Sequence, residues 1–362
     1  MLKQGSDQSR IARLRRVMEA DPLEGFVVFN PVNVRYLSGF TGTSGVLLIT
    51  ANQAVLLTDS RYLEQAEAQA GECQIVDIAG NQLRALESLI MAAQVETLAF
   101  EEDYLSFAAY GQMTQMIPGK RWLSRSELIL RMRMVKDDEE IKRIRQAVAI
   151  ADASFAQLLT GLKAGQREEE IALALEWYMR QAGASARSFD FIVASGWRSA
   201  MPHGVASTKE LADGELLTLD FGAVYAGYCS DITRTLCLSR ADDRQRAIYE
   251  IVLAANRAGI AALKPGISGR EADAAARCVI TEAGYGEQFG HGLGHSLGLE
   301  IHERPNLNRS EEQLLEPGML VTVEPGIYLP GWGGVRIEDL VLVTQDGCEV
   351  LTQAPKEFII IE

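Results

Sequence analysis

The sequence lacks the long apolar run that a membrane-spanning helix requires, since no stretch of about eighteen consecutive apolar residues occurs in its 362 positions. The first ten residues are polar and carry neither the apolar core nor the small-residue cleavage site of a signal peptide. These absences predict a protein that is neither membrane-spanning nor secreted. They also predict that it works in the cytoplasm.

Cysteine is scarce as well. There are five cysteines, an odd number, and none of them forms a Cys-x-x-Cys pair. Wide spacing of this kind argues against a disulfide framework and against a zinc site built from thiolates. The pattern fits a reducing compartment.

Positive charge is under-represented, with 35 Lys and Arg against 49 Asp and Glu and a net charge of −14. Nucleic acids and anionic membrane surfaces are bound by basic faces that release counterions. We therefore expect no nucleic-acid partner and no membrane partner.

The length and composition predict two globular domains. At 362 residues the chain exceeds the usual size of a single core, and its 47% hydrophobic and 23% charged residues are typical of a folded protein with a large interior.

Apolar and helical segments alternate in the first part, with a helix predicted over 11–20 and strands over 25–29, 45–49 and 54–57. This alternation predicts a small α/β domain over 1–130. A long amphipathic helix over 135–159 with an acidic start begins the second domain, 131–362.

A weak internal repeat occurs in the second domain. Gly165 and Gly183 bracket one helical stretch, Gly266 and Gly284 bracket another, and the two glycines of each pair are eighteen residues apart. Each copy then continues into an apolar strand, a glycine-containing turn and a second strand. The repeat predicts a duplicated domain with one hairpin in each half.

Each predicted hairpin carries two acids, Asp220 and Asp231 in the first and Glu324 and Glu338 in the second. Turns near 225–227 and near Gly331 would place the two acids of each hairpin opposite each other across the strands. Any single acid among 49 is more often a surface charge than a site residue. Four acids at matching places favour a common site at the seam between the halves.

The chain has only four histidines, all in the second domain: His203, His291, His295 and His302. A lone histidine is more often a hydrogen-bonded core or surface group than a ligand. Three of these four lie within twelve positions of one another among several glycines, which let backbone and imidazole groups crowd together. Their concentration beside the second hairpin favours a site.

Four neighbouring carboxylates raise one another's pKa unless cations neutralise them. Two divalent ions would balance the predicted cluster. Ligands rich in oxygen, with a single imidazole and without thiolate, favour Mn²⁺ or Fe²⁺, and Co²⁺ or Zn²⁺ also fit such a set. Of these we expect Mn²⁺.

Several motifs in the second domain carry a family resemblance. They are LDFG at 219–222, GYCSDITR at 227–234, HGLGH at 291–295, HERP at 302–305, PGM at 317–319, TVEPGIY at 322–328 and GVRIED at 334–339. In order and spacing they resemble the pita-bread metallopeptidases, which comprise Xaa-Pro aminopeptidases, Xaa-Pro dipeptidases and methionine aminopeptidases. NVRYLSGF at 33–40 and TDSRY at 58–62 are similar to the N-terminal domain of the proline-specific branch.

This resemblance implies an α/β (α+β) fold, in which a small creatinase/prolidase-type α/β domain precedes a pita-bread catalytic domain with a pseudo-twofold duplication. It also implies the metal ligands, which are Asp220, Asp231, His295, Glu324 and Glu338, with Asp231 and Glu338 bridging two ions. Glu324 would move a proton between the attacking water and the leaving nitrogen. His203, His291 and His302 would line the pocket as catalytic donors to the substrate carbonyl or oxyanion.

Arg336 and Tyr228 have roles open to more than one interpretation, whereas Asp339 has one. Arg336 orients a ligand carboxylate or binds substrate, or else it is a plain charge partner of the acidic cluster. Tyr228 packs in the core or contacts substrate, with core packing favoured. Asp339 faces away from the acids and is structural.

The function implied is that of a two-metal aminopeptidase that removes the N-terminal residue from short peptides, preferring proline in second place. One alternative is an Xaa-Pro dipeptidase; the short segment between His302 and Glu324, with only Arg304 and Arg309, favours the aminopeptidase. An alternative of another class is a non-catalytic peptide-binding module on the same fold, which the five intact ligand positions disfavour. The resemblance also implies a homodimer.

Overall fold

The computed structural model describes residues 9–361, and the chain divides into two compact units between Met132 and Arg133. Residues 1–8, which form most of the polar start from which no leader segment is expected, lie outside this range. Among the described helices, none is both long enough and apolar enough to cross a bilayer.

The first unit is built on one six-stranded sheet with the order β4-β3-β2-β1-β5-β6. Its strands are β1 (Gly25–Val28), β2 (Val46–Thr50), β3 (Ala54–Thr58), β4 (Gln74–Asp77), β5 (Thr97–Phe100) and β6 (Arg121–Ser124). Its helices are α1 (Arg10–Ala20), α2 (Pro31–Ser38), α3 (Leu63–Gln69), α4 (Gln82–Ala93) and α5 (Phe107–Met116), and α6 (Ser126–Met134) contains the point of division. The first helix and the first three strands thus lie where the sequence pattern predicts them.

Burial explains why apolar runs form this sheet. Every residue of β1, β2 and β3 is buried, so these strands are apolar throughout rather than alternating. The β1–β2 and β2–β3 pairs are antiparallel, whereas β1–β5, β5–β6 and β3–β4 are parallel. The parallel pairs require helical crossovers, which makes the first unit a mixed α/β unit.

The second unit packs four helices against several small sheets. The helices are α7 (Asp138–Leu159), α8 (Glu168–Gln181), α9 (Asp243–Ala262) and α10 (Gly269–Glu282). The strands are β7 (Ala186–Arg187), β8 (Ile192–Ser195), β9 (Leu216–Phe221), β10 (Ala223–Tyr225), β11 (Tyr228–Cys229), β12 (Ile232–Leu238), β13 (Gly294–Ser296), β14 (Glu303–Leu307), β15 (Leu320–Val323), β16 (Gly326–Leu329), β17 (Gly333–Arg336), β18 (Asp339–Val343), β19 (Cys348–Val350) and β20 (Ile360–Ile361). The long helix predicted over 135–159 begins at Asp138, because Asp137 and Glu140 form a capping box there.

The internal repeat is present in three dimensions. Gly165 and Gly266 precede the second helix of each half with φ of 84° and 85°, and Gly183 and Gly284 follow it with φ of 103° and 87°. The N–H of Gly165 donates to the carbonyl of Leu211 at 2.9 Å, and that of Gly266 donates to Leu315 at 2.8 Å. Equivalent glycines therefore make equivalent bonds, as a duplicated domain requires.

The first hairpin joins β9 to β12 and continues as β10 and β11, with a turn at Ala226 and Gly227. Both turn residues have positive φ, 48° and 87°, as a two-residue hairpin turn of this hand requires. In the resulting register Asp220 pairs with Thr233. The expectation that Asp220 lies directly opposite Asp231 is therefore wrong by two residues, although both side chains still lie on the same face because the strand period is two.

The second hairpin pairs β15 with β18 and β16 with β17 in one continuous register. Val323 pairs with Asp339 and Gly326 pairs with Arg336, so Glu324 stands opposite Glu338 as predicted. The ladder is interrupted at these two acids. Asn256 of α9 covers the interruption, because its side-chain amide donates to the carbonyls of Val323 at 2.9 Å and Ile337 at 3.3 Å.

Candidate metal centre

The acids of the two hairpins face a cavity of about 490 Å³ within the second unit. Its lining includes all five predicted metal ligands, Arg336 and all four histidines. The remaining lining residues are Phe189, Asp190, Ile192, Pro202, Val205, Gly292, Gly294, Ile301, Asn306 and Asn308. The fold thus brings every predicted site residue to one cavity.

Three of the predicted ligands form a compact cluster. Ligand atoms of Asp231, His295 and Glu338 all lie within 4.8 Å of one another. His295 Nε2 is 3.5 Å from Asp231 Oδ2 and 3.5 Å from Glu324 Oε1. Asp220, at the end of β9, lines the same cavity. The donor atoms of the two hairpins therefore converge on a single space.

The tautomer of His295 suits a metal ligand. Its Nδ1 lies 3.0 Å from the carbonyl oxygen of Ser296, and a carbonyl can only accept, so Nδ1 carries the proton. Burial lowers the pKa of His295, which keeps the ring neutral. Nε2 then presents a lone pair toward the oxygens of two carboxylates. A cation between these atoms would turn a repulsive arrangement into a favourable one.

The protein compensates the charge of these carboxylates only in part. Burial is the largest effect on Asp231, Glu324 and Glu338, and together with the neighbouring carboxylates it raises the pKa of each, that of Glu324 to about 8. Within the described part of the chain, the buried Oδ1 atoms of Asp220 and Asp231 have no hydrogen-bond partner. Buried, unsatisfied carboxylate oxygens beside a neutral imidazole fit divalent cations.

Two threonines orient the glutamates, and they did not figure in the sequence prediction. Thr233 Oγ1 donates to Glu338 Oε2 at 2.8 Å, and Thr322 Oγ1 donates to Glu324 Oε1 at 3.2 Å. Thr322 also accepts from the backbone N–H of His295 at 3.0 Å. Thr233 lies two residues after Asp231 and Thr322 two residues before Glu324. Because alternate residues of a strand lie on the same face, these spacings could have predicted that both threonines face the site.

Arg336 is buried and bonded to protein groups on every side. Its Nη2 donates to Asp220 Oδ2 at 2.6 Å, its Nη1 to Tyr328 Oη at 2.9 Å, and its Nε to Thr233 Oγ1 at 3.1 Å. These contacts support the interpretation in which Arg336 orients a ligand carboxylate.

His291 lies at the end of this chain of contacts. Its Nδ1 is 2.8 Å from the carbonyl of Gly292, so Nδ1 carries the proton, and Nε2 accepts from the Tyr328 hydroxyl at 2.8 Å. Burial, with a smaller effect of Arg336, lowers the pKa of His291 to about 4, so the ring is neutral. Its one N–H is thus directed at the protein.

His203 and His302 occupy more open positions on the cavity wall, and both side chains are exposed. The ring of His302 meets the ring of His295 edge to face, with centroids 4.5 Å apart. Burial and the neighbouring His295 lower the pKa of His302. These two imidazoles are the most exposed of the four that line the cavity.

Tyr228 and Asp339 stand apart from the cavity. The Tyr228 ring is buried in an apolar cluster with Ile144 and Leu297, and its hydroxyl donates to Glu140 Oε1 at 3.0 Å. Asp339 is buried against Arg234 at 3.0 Å and Lys356 at 2.9 Å. Both therefore have the structural environment expected of core residues.

Two glycines allow the close packing of the site. A Cβ on Gly222, which separates β9 from β10, would lie 1.9 Å from the carbonyl oxygen of Ser230. A Cβ on Gly294 would lie 2.0 Å from the carbonyl oxygen of Thr322. Only glycine permits these approaches, which bring Asp231 and His295 to the cavity.

Family comparisons match both units. Residues 142–345 match the model described as metallopeptidase family M24, and residues 10–135 match the creatinase/prolidase N-terminal domain. The first match covers more than half of the chain.

Individual relatives cover nearly the whole sequence. An uncharacterized peptidase of Bacillus subtilis, YqhT, is 43% identical over 97% of this chain and 100% of its own length. The structure of an Xaa-Pro dipeptidase from Bacillus anthracis is 47% identical with a TM-score of 0.94, over 97% of this chain and 98% of that one. The structure of an X-Pro aminopeptidase from Thermotoga maritima is 36% identical with a TM-score of 0.92, over 98% of this chain and 100% of that one.

Proposed function

The chain belongs to metallopeptidase family M24 and has its pita-bread fold, and from this premise we propose that it hydrolyses the bond between an N-terminal residue and a following proline with two divalent ions. Peptidase activity, that is hydrolysis of a peptide bond, follows from the family itself. The observation that carries the finer proposal is the convergence of four carboxylates and one neutral imidazole on a single cavity.

The proposed metal ligands are Asp220, Asp231, His295, Glu324 and Glu338. Bound there, the ions would supply Lewis-acid activation of the attacking water and of the scissile carbonyl. Because all but one of the ligands are oxygen donors, we assign Mn²⁺ as the working metal, with Co²⁺ and Zn²⁺ as the alternatives that the experiment below compares.

Glu324 is the proposed proton carrier. Its Oε1 faces the cavity beside His295 Nε2, and in the metal-free protein burial raises its pKa to about 8, so this carboxyl group can hold a proton at the site. The nitrogen of an Xaa-Pro bond carries no hydrogen, and like any amide nitrogen it must receive a proton to leave as an amine. A carboxylate that takes a proton from the attacking water and returns it to this nitrogen meets that requirement.

His203 and His302 are proposed to donate to the substrate carbonyl or to the oxyanion that develops on it, since both are exposed at the cavity. His291 was grouped with them from the sequence. Its bonds to Gly292 and Tyr328 favour an indirect contribution, through the position of the Tyr328 hydroxyl. Arg336 is proposed to hold Asp220 rather than to bind substrate directly.

Substrate length separates two candidates. Arg336 is the only Lys or Arg among the described residues that line the cavity, and it already bonds Asp220. Arg304 and Arg309 are exposed and absent from that lining. A site without a dedicated carboxylate partner favours longer peptides and therefore an aminopeptidase. The second candidate, an Xaa-Pro dipeptidase, is favoured by the resemblance to the Bacillus anthracis enzyme of that name.

Two further features are proposed with this function. A cytoplasmic location agrees with the odd, unpaired set of cysteines, all five of which are free in the structure. A homodimer is proposed from the family resemblance and is tested by light scattering of the purified protein.

The deciding experiment strips the protein with a chelator and restores Mn²⁺, Co²⁺ or Zn²⁺ separately. Each form is given Xaa-Pro dipeptides, Xaa-Pro-Yaa tripeptides and proline-free controls, and products are identified by mass spectrometry. Metal-dependent loss of the first residue from tripeptides is expected. Cleavage confined to dipeptides would establish the dipeptidase, and no cleavage with any metal would contradict the proposal and favour a peptide-binding module.

A further inference from the structure

A buried carboxylate outside the cavity joins the two ends of the loop that carries His203. Glu168 is the first residue of α8, and its side chain is fully buried. Glu168 Oε1 accepts from the N–H of Ser195 at 2.8 Å and from its hydroxyl at 2.9 Å. Glu168 Oε2 accepts from the N–H of Ser207 at 3.1 Å and from its hydroxyl at 2.7 Å. One carboxylate therefore closes the loop between these two serines.

The same carboxylate also fixes the interior of the loop. Arg198 Nη1 donates to Glu168 Oε2, and Arg198 Nη2 donates to the carbonyl of Val205 at 2.9 Å. Val205 follows His203 by two residues and lines the cavity with it. A continuous set of charge-assisted bonds thus leads from the buried Glu168 to the backbone beside His203.

The far side of the loop rests on the second hairpin. The hydroxyl of Ser199 accepts from the N–H of Gly334 at 2.8 Å, and the carbonyl of Pro202 accepts from Arg336 Nη1 at 3.2 Å. The loop is therefore held between a helix of the first half of the unit and a strand of the second half. With its ends released from Glu168, the loop would keep this second set of contacts and the short pairing to β8. It would also keep one bond at each end, from the Glu169 N–H to the Ser207 carbonyl at 3.0 Å and from Lys209 Nζ to the Ser195 hydroxyl at 2.8 Å.

We propose that Glu168 is a positioning residue for catalysis: its carboxylate holds the 195–207 loop in the conformation that presents His203 to the substrate. The inference rests on the proposed function, in which His203 donates to the reacting carbonyl. Glu168 itself does not line the cavity. Its effect on hydrolysis must therefore pass through the loop.

The test is a double-mutant cycle on kcat/KM with an Xaa-Pro peptide and the metal-loaded protein. Glu168→Gln keeps the shape of the side chain but removes the charge and replaces an acceptor by a donor, and it should lower kcat/KM by about 10- to 100-fold, as small misplacements of catalytic groups do. In a His203→Ala background the same change should alter kcat/KM less than about twofold, because the group that it positions is gone. Metal affinity should be unchanged in all four proteins.

Two companion variants keep the test decisive. Ser207→Ala removes one donor to Glu168 and leaves the backbone bond, so it should produce a smaller loss with the same dependence on His203. Glu169→Gln is the matched control, since Glu169 is the next residue of the same helical turn and its side chain is 44% exposed. It should match the unmodified protein.

Hydrogen exchange measured by mass spectrometry gives a second readout that does not require activity. Glu168→Gln should speed exchange of amides in 195–207 and leave 294–307 unchanged. Additive losses in the cycle, unchanged kcat/KM in Glu168→Gln, or full activity in His203→Ala would each overturn the inference. If the unmodified protein shows no metal-dependent hydrolysis, the proposed function is contradicted instead. Hydrogen exchange of the amides in 195–207 would then decide by itself whether Glu168 orders the loop.

Discussion

Thr233 and Glu338 join the two halves of the second unit at the candidate metal centre. The N–H of Glu338 donates to the carbonyl of Thr233 at 3.1 Å, and the Thr233 hydroxyl donates to Glu338 Oε2 at 2.8 Å. The same hydroxyl accepts from Arg336 Nε at 3.1 Å. One strand of the first hairpin therefore orients an acid of the second.

Replacing Thr233 by valine should weaken metal binding. The change removes the hydroxyl at nearly constant volume, leaving Glu338 Oε2 and Arg336 Nε without this buried partner. Loss of a hydrogen bond to a metal ligand costs about 10- to 100-fold in affinity. Titration of the stripped protein with Mn²⁺ by calorimetry measures the effect. Affinity equal to that of the unmodified protein would show that Glu338 needs no such support.

Replacing Glu324 by glutamine should strongly lower kcat for hydrolysis of Xaa-Pro peptides. Glutamine cannot carry a proton between water and the leaving nitrogen, and general acid–base catalysis contributes about 10²- to 10⁴-fold. Hydrolysis of Xaa-Pro peptides is measured at saturating metal, with metal content determined separately because Glu324 is also a proposed ligand. Glu316→Gln, a change at an exposed acid eight residues earlier, is the control. Unchanged kcat in Glu324→Gln would rule out the proposed proton transfer.

The stabilising effect of metal should grow with pH. In the metal-free protein the pKa of Glu324 is raised from its ordinary value of 4.5 to about 8, mainly by burial, and those of Asp231 and Glu338 are raised in the same direction. The folded state then holds protons that the unfolded chain has released, so these groups make the free energy of unfolding fall as pH rises from about 4.5 to 8. Bound cations replace those protons and remove the loss.

The measurement is the difference in Tm between metal-loaded and chelator-treated protein at pH 5.5 and pH 8. The difference should be larger at pH 8, and metal binding near neutral pH should release protons, which calorimetry in buffers of different ionisation enthalpy detects. A difference that stays constant or shrinks as pH rises would mean that the acids are already ionised without metal.

Replacing Arg234 by methionine should destabilise the second unit. Arg234 is 1% exposed, and its Nη2 pairs with Asp339 Oδ1 at 3.0 Å, while its Nε donates to the carbonyl of Pro355 at 2.9 Å. Its removal leaves Lys356 as the remaining cationic partner of Asp339 and takes a donor from the carbonyls of Glu338 and Ala354, and breaking such a buried pair costs about 3–5 kcal/mol. Urea unfolding followed by circular dichroism measures this cost. Arg240→Met, at an exposed position, should change the free energy of unfolding by less than about 0.5 kcal/mol.

The acids and the histidines of the site were predictable because their signals are local. Asp220 and Glu324 each end an apolar strand and precede a glycine by two residues, and the glycines bracketing each helix recur at one spacing. The hairpin registers were predictable only in part.

In the first hairpin, both central turn residues need positive φ, and Ala226 and Gly227 both adopt it. The turn therefore sits one residue later than the pairing of Asp220 with Asp231 would require.

Contacts between distant segments could not be predicted. Nothing in the sequence around Asn256 marks it as the donor that covers the interrupted ladder beside Glu324 and Glu338. Glu168 likewise reads as one of three successive acids at a helix start, which ordinarily serve the helix dipole. Its role in closing a loop depends on which segments pack against that helix end.

The sequence by itself determined the chemistry of this protein: the oxygen-rich ligand set, the few histidines, the duplicated helices and hairpins, and the glycines that allow close approach. These are properties of residue type and spacing, which local backbone geometry converts directly into strands, turns and faces. Tertiary structure alone decided the protonation states and the hydrogen bonds of these groups. The tautomer of His295, the raised pKa of Glu324 and the bond from Thr233 to Glu338 arise from burial and from contacts between segments far apart in the chain. Such effects depend on distance and solvent exclusion, which only the packed fold defines.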